Sequence, residues 1–175
     1  MLKSLFKPRP AHAAGRALYV AAIAQARSPA HYADLMAPDT PTGRFEIYSL
    51  HVYLVLERLK GQGPQAAETA QACFDAYVQS LDDALRELGV GDLSVGKKMR
   101  KLGEAFFGRV KSFETGMAAL PDRGPLEALL ARTVYSAGAE AAVALLADYV
   151  VAQRAALANQ PLADLLAGEI VWGPA

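Results

Sequence analysis

The chain holds one cysteine, Cys73, one tryptophan, Trp172, and three histidines, His12, His31 and His51, in 175 residues. A lone cysteine cannot close an internal disulfide, and a free thiol fits a reducing compartment. Histidines this scattered, with no ligand spacing between them, give no expected metal site. Excess charge is missing too: 18 basic and 18 acidic side chains cancel. A protein that binds nucleic acid in bulk is usually basic overall, so DNA is not expected as a partner. Long apolar runs are also lacking. The longest, AVALLADYVV, is broken by Asp148. It falls short of the roughly 20 residues that cross a bilayer, so no transmembrane helix is expected. No Gly-x-Ser-x-Gly elbow or Ser/His/Asp arrangement is present. Asp82 and Asp83 are neighbours and point in different directions, so they do not form a catalytic pair. Cys73, between Ala72 and Phe74, reads as a buried, inert thiol. Neither an enzyme nor a cofactor is expected.

What is present is apolar and helix-forming. Apolar residues make up 53% of the chain, and much of that is alanine and leucine, both good helix formers. The charge is uneven: residues 1–118 carry 15 basic and 12 acidic side chains, and residues 119–175 carry 3 and 6. MLKSLFKPRP followed by ALYVAAIAQA has the outline of a secretory leader. Pro8 and Pro10 separate its basic and apolar parts, however, and Arg16 opens the apolar stretch. The expected organisation is a basic arm over 1–13 and one helical domain over 14–175. In the arm, Lys3, Lys7 and Arg9 interleave with Leu2, Leu5 and Phe6. Two readings stand: an unstructured arm, or a weak anchor on a membrane surface.

Periodicity then predicts an all-α fold of about six to eight helices and no sheet. AGRALYVAAIAQAR (14–27) is a first helix. Ser28 caps a short second one with Pro29 in its first turn, where a missing N–H costs nothing. APDTPTG (37–43) is turn chemistry. In RFEIYSLHVYLVLERLK (44–60), Phe45, Tyr48, Val52, Val55 and Leu59 are spaced as one helix face. Glu46, Ser49, Tyr53, Glu57 and Lys60 form the opposite, polar face. A helix near 64–88 places Ala70, Phe74, Tyr77, Leu81 and Leu88 inward, and Gly89 ends it in a left-handed cap. The next helix, from about Leu93 to Ala118, buries Met99, Leu102, Phe106, Val110, Phe113 and Met117. Helices near 125–135, 138–158 and 161–167 follow, and Trp172 can fold the tail back.

GDLSVGKK (91–98) matches the phosphate-cradling G-x-x-x-x-G-K-[ST] loop at Gly91, Gly96 and Lys97, but Lys98 stands where the hydroxyl should be. Such a loop needs a strand before it and a helix after it. Here the charged helix end DDALREL precedes it, so nucleotide binding is not expected. The segment reads instead as a helix–helix turn at Gly89 and Gly91, with Asp92 capping the next helix. Arg86 and Glu87 can pin that turn, and Asp39, Thr40, Gly43 and Arg44 form another, with an Asp39–Arg44 ion pair across it. Lys97, Lys98, Arg100, Lys101, Arg109 and Lys111 are the densest basic cluster. It is either a docking face for RNA, lipid headgroups or an acidic partner, or a solvated helix face. Gly96, Gly103 and Gly108 each cost about 1 kcal/mol inside a helix, which suggests close approach of another helix or of a bound peptide.

LDDALRELGVGDLSVGKKMRKLGEAFFGR (81–109) resembles the ubiquinol–cytochrome c chaperone family, assembly factors of the cytochrome bc1 complex. DTPTGRFEIYSLHVYLVLERLK (39–60) and AIAQARSPAHYADLMAPDT (22–40) agree, so the likeness runs over about 15–118. The resemblance implies a chaperone, not an enzyme, that holds newly made cytochrome b. It also implies a small partner protein and a contact at the ribosome exit region. The implied location is the mitochondrial matrix for a eukaryotic member, and the cytoplasm, peripheral at the inner membrane, for a bacterial one. The alternative is a membrane- or ribosome-docking adaptor that uses the basic helix 97–111.

Overall fold

The structure, a computed structural model, describes residues 10–135 and 139–173. Among them are eight helices and no strand: α1 Pro10–Ala26, α2 Pro29–Ala33, α3 Pro41–Leu59, α4 Pro64–Glu87, α5 Asp92–Ala118, α6 Gly124–Thr133, α7 Glu140–Asn159 and α8 Leu162–Leu166. Residues 10–13 of the expected arm belong to α1. Residues 1–9, with Lys3, Lys7 and Arg9, lie outside the described residues. α1 lies along α4 and crosses α3, α5 packs on α4 and α6, and α7 closes on α3 and α6.

α3 starts earlier than its spacing predicts. The Thr40 hydroxyl accepts the Gly43 N–H at 3.1 Å, and Pro41 fills the first turn, so part of the expected turn is already helix. A Cβ at Gly43 would run into the Pro38 carbonyl. The two-faced reading of α3 also needs correction. Glu46, Ser49 and Tyr53, which the spacing assigns to the polar face, are buried along with Ile47, Leu50, His51, Val52, Leu54 and Val55. The helix is surrounded, so its polar residues must find partners inside.

Glu46, Ser49 and His51 each find one on a different helix. The Arg109 guanidinium of α5 donates twice to the Glu46 carboxylate, at 2.7 and 2.8 Å. Ser49 and Tyr77 of α4 share a hydrogen bond of 2.8 Å. His51 Nδ1 lies 2.8 Å from the Ile47 carbonyl, which can only accept, so Nδ1 carries the proton. His51 Nε2 then accepts from the Tyr149 hydroxyl of α7 at 2.7 Å, and Tyr149 in turn accepts from Gln25 of α1 at 3.1 Å. Two of the three histidines therefore meet in space, while His12 lies apart beside α4. His31 packs edge-on to His51 at 5.0 Å, and Trp172 packs on His51 at 5.3 Å. The tail does fold back as expected, with the Gly173 N–H donating to Gln153 Oε1 at 2.8 Å.

α7 is long and apolar enough to cross a membrane by length and composition. Here it is a core helix: Leu146, Ala147, Val150 and Leu157 are buried, and Asp148 is paired with Arg123. The expected stripes of α4 and α5 are only partly enclosed. Tyr77, Phe106, Phe113 and Met117 are buried, whereas Phe74, Leu81, Met99, Leu102 and Val110 are half-buried. At the start of α2 the Ser28 side chain makes no cap; its carbonyl accepts the His31 N–H at 3.2 Å. Gly89 has φ +78°, the left-handed closure expected for α4. Asp92 is the first residue of α5 and not its cap, which is Gly91.

Two glycines should respond oppositely to an added methyl group. A Cβ on Gly15 of α1 would lie 2.5 Å from the Thr69 carbonyl oxygen and 2.6 Å from Ala72 Cβ of α4. Gly15→Ala must push the two helices apart and should cost about 1–3 kcal/mol. A Cβ on Gly96 would meet nothing within 4 Å, so Gly96→Ala should add up to about 1 kcal/mol. Urea unfolding of the two variants should shift in opposite directions.

Burial pushes the His51 pKa down from 6.5 to about 3 and lowers that of His31 as well. Above pH 6.5 both folded and unfolded chains hold neutral imidazole, and nothing is lost. Below it the unfolded chain takes up protons that the folded chain refuses. Stability should therefore fall with pH by up to about 1.4 kcal/mol per unit for one such group. His51→Gln should flatten this dependence, even though it lowers stability overall. An unchanged slope would contradict the assignment.

Candidate functional site

α3, α4 and α5 do not close fully on one another. Between them lies an open trough of about 620 Å³. Aromatic rings line it. Phe74 on α4 faces Phe106 and Phe107 on α5 at 5.4 and 5.6 Å, and the two α5 rings meet edge-on at 5.8 Å. Phe106 turns inward and is buried, so its neighbour Phe107, one step round the helix, is 60% exposed. Tyr53 lies beneath, stacked on Phe113 at 4.9 Å. Its hydroxyl is buried beside the Glu57 carboxylate. Leu56 and Val110 complete an apolar floor. The rim is charged: Lys60 and Glu114 form an ion pair of 2.6 Å across one end, beside Glu57. Glu57 is held by Arg154 of α7 at 2.9 Å. An apolar floor with a charged rim is how a surface holds a hydrophobic segment and still stays in water when empty.

The basic cluster divides in two. Arg109 leaves it, because its guanidinium is committed to buried Glu46. Lys97, Lys98, Arg100, Lys101 and Lys111 stand exposed on α5. A Cβ built on Gly96, Gly103 or Gly108 of α5 would meet no other element within 4 Å. The close approaches expected of them are made within this chain by Gly15 and Gly116 instead, the latter against Leu126 at 3.1 Å. Gly103 lies one turn before Phe107, on the face that runs through Val110 to Glu114. It therefore leaves that face open next to the trough.

The expected turn contacts are present in part. Asp39 accepts from Arg44 at 2.5 Å beside Tyr32 and Tyr48. Arg86 bonds Asp82 at 2.6 Å and reaches across to Asp92, pinning the α4–α5 turn; Glu87 takes no part in these contacts. A Cβ on Gly91, the last expected turn residue, would meet nothing within 4 Å. Cys73 is fully buried, and burial pushes its thiol up to about 12. Among the described residues no cluster of three or more His, Cys, Asp and Glu is placed to hold a metal ion. Sequence reasoning misses the trough as a site. Helical spacing assigns Phe74, Phe106 and Val110 to the core, and the doubled aromatic Phe106–Phe107 is the one available clue.

The described residues thus form an all-helical domain with one open apolar trough between α3, α4 and α5. The chain belongs to the ubiquinol–cytochrome c chaperone family, whose model matches residues 33–172. That match starts later and ends later than the stretch 15–118 that carries the sequence resemblance. It therefore takes in α6, α7 and the returning tail. Among curated relatives, ubiquinol–cytochrome c reductase complex assembly factor 1 of Xenopus laevis is 26% identical over 140 residues, 78% of this chain and 69% of that protein. The mouse and human proteins are each 29% identical over 140 residues. The chain spans about half the length of these two, 47% and 46%. The crystal structure of the Cbp3 homolog from Brucella abortus is 35% identical, with a TM-score of 0.86, and the match covers 99% of this chain and 97% of that one.

Proposed function

We propose that this chain is a non-enzymatic chaperone that holds newly made cytochrome b for assembly of ubiquinol–cytochrome c reductase. Family membership supports the assembly role. The observation that carries the holding role is the trough, where Phe107 stands in solvent over an apolar floor. An unassembled membrane subunit exposes apolar side chains, and each buried large one contributes about 1.5–3 kcal/mol. The trough can receive a few such side chains between Phe74, Phe107 and Val110. No covalent step is needed to hold and release such a segment. The resemblance adds a small partner protein and the ribosome exit region as further partners, and a site of action in the cytoplasm at the inner membrane, or in the mitochondrial matrix for a eukaryotic member.

Phe107→Glu tests this reading. The side chain is largely in solvent, so the melting temperature should change little. Cytochrome b co-purified with the variant should fall by about tenfold or more, through the loss of one apolar anchor and the addition of an unpaired charge. A strain carrying only the variant should assemble less bc1 complex while unrelated respiratory enzymes are spared. Full cytochrome b capture by Phe107→Glu, or normal bc1 activity without the protein, would refute the assignment.

A further inference from the structure

The α4–α5 turn presents a second surface, separate from the trough. Leu88, expected on the buried face of α4, is 73% exposed, and Leu93 at the start of α5 is fully exposed. Gly89, with its positive φ, reverses the chain between them and brings both leucines to one tip. Behind them on α5 come Lys97, Lys98, Arg100 and Lys101. None of these is paired with a carboxylate of the described residues. Leu93, Lys97, Arg100 and Lys101 are spaced i, i+4, i+7 and i+8, which puts them on one helix face. The opposite face, with Val95 and Phe106, is buried. Within 86–104 the carboxylates are Glu87, Asp92 and Glu104 against five cations, Arg86, Lys97, Lys98, Arg100 and Lys101, and Asp92 is answered by Arg86. The tip is thus two leucines backed by a net positive collar.

We propose that this tip is a peripheral anchor for an anionic lipid bilayer. The depths agree. At 1.5 Å per residue, Lys97 lies about 6 Å behind Leu93 and Lys101 about 12 Å behind. A tip whose leucines enter the acyl boundary therefore sets its cations among the headgroups. The leucines favour lipid over RNA: phosphate alone would attract the cations and leave two exposed leucines without a role. The anchor is independent of the client, and it would hold the trough beside the membrane where an apolar segment is delivered.

Flotation of the purified full chain tests the anchor without client. One set of vesicles is phosphatidylcholine alone, and the other is phosphatidylcholine and phosphatidylglycerol in equal parts. The chain should float with the anionic vesicles, remain behind with the neutral ones, and be released by salt. Each basic residue near an anionic surface contributes about fivefold. Lys97→Glu, Lys98→Glu and Lys101→Glu together should therefore lower partitioning by more than about 100-fold. Leu88→Ser with Leu93→Ser should lower it by at least about tenfold, with the melting temperature unchanged. Should the double variant unfold, Leu93→Ser alone, at a fully exposed site, carries the same test. Absence of flotation on anionic vesicles would overturn the proposal, as would a leucine variant that floats like the wild type. Loss of ribosomal RNA binding by the lysine variant, with flotation untouched, would overturn it in favour of an RNA face.

Discussion

Three polar side chains on one helix organise the molecule. Apart from half-buried Tyr48, α3 is enclosed over 46–55, and Glu46, Ser49 and His51 are enclosed with it. Each must be satisfied, because an unpaired buried charge or hydroxyl costs several times what a surface one does. Arg109 comes from α5, Tyr77 from α4 and Tyr149 from α7. Apolar packing alone would let neighbouring helices slide or rotate by a turn. A bidentate guanidinium–carboxylate pair and a histidine fixed in one tautomer leave far less latitude.

The trough lies between the helices so fixed: Arg109 holds α5 and Tyr77 holds α4 to α3, and Phe74, Phe106 and Phe107 line the open space beside them. Among the described residues Phe107 is the one Phe, Tyr or Trp that stands exposed, and charge surrounds it. The result is a surface that can take an apolar segment without being sticky along its whole length. The single thiol is buried with its pKa raised, and the two core histidines are used as structural hydrogen-bonding groups.

Much of the helical architecture is legible in the sequence. The stripe from Phe106 through Phe113 to Met117, the glycine closure at Gly89, the returning Trp172 and the Asp39–Arg44 pair all follow from local spacing. What is not legible depends on distant partners. Period analysis assigns Glu46 and Ser49 to solvent, because nothing local reveals an arginine 63 residues away or a tyrosine 28 residues away. Arg109 reads as a member of the basic cluster for the same reason. Leu88 reads as buried because a helical stripe says nothing about where the neighbouring helix stops. The trough escapes because Phe74 and Phe106 satisfy a core pattern whether or not the space beside them is filled.

Site-specific crosslinking measures most directly whether cytochrome b occupies the trough. A photoreactive amino acid placed at 107, in cells making cytochrome b, should yield an adduct containing newly synthesised cytochrome b. The same group at exposed Glu140, at the start of α7, should yield none. Equal capture at the two positions, or capture at 140 alone, would contradict the account.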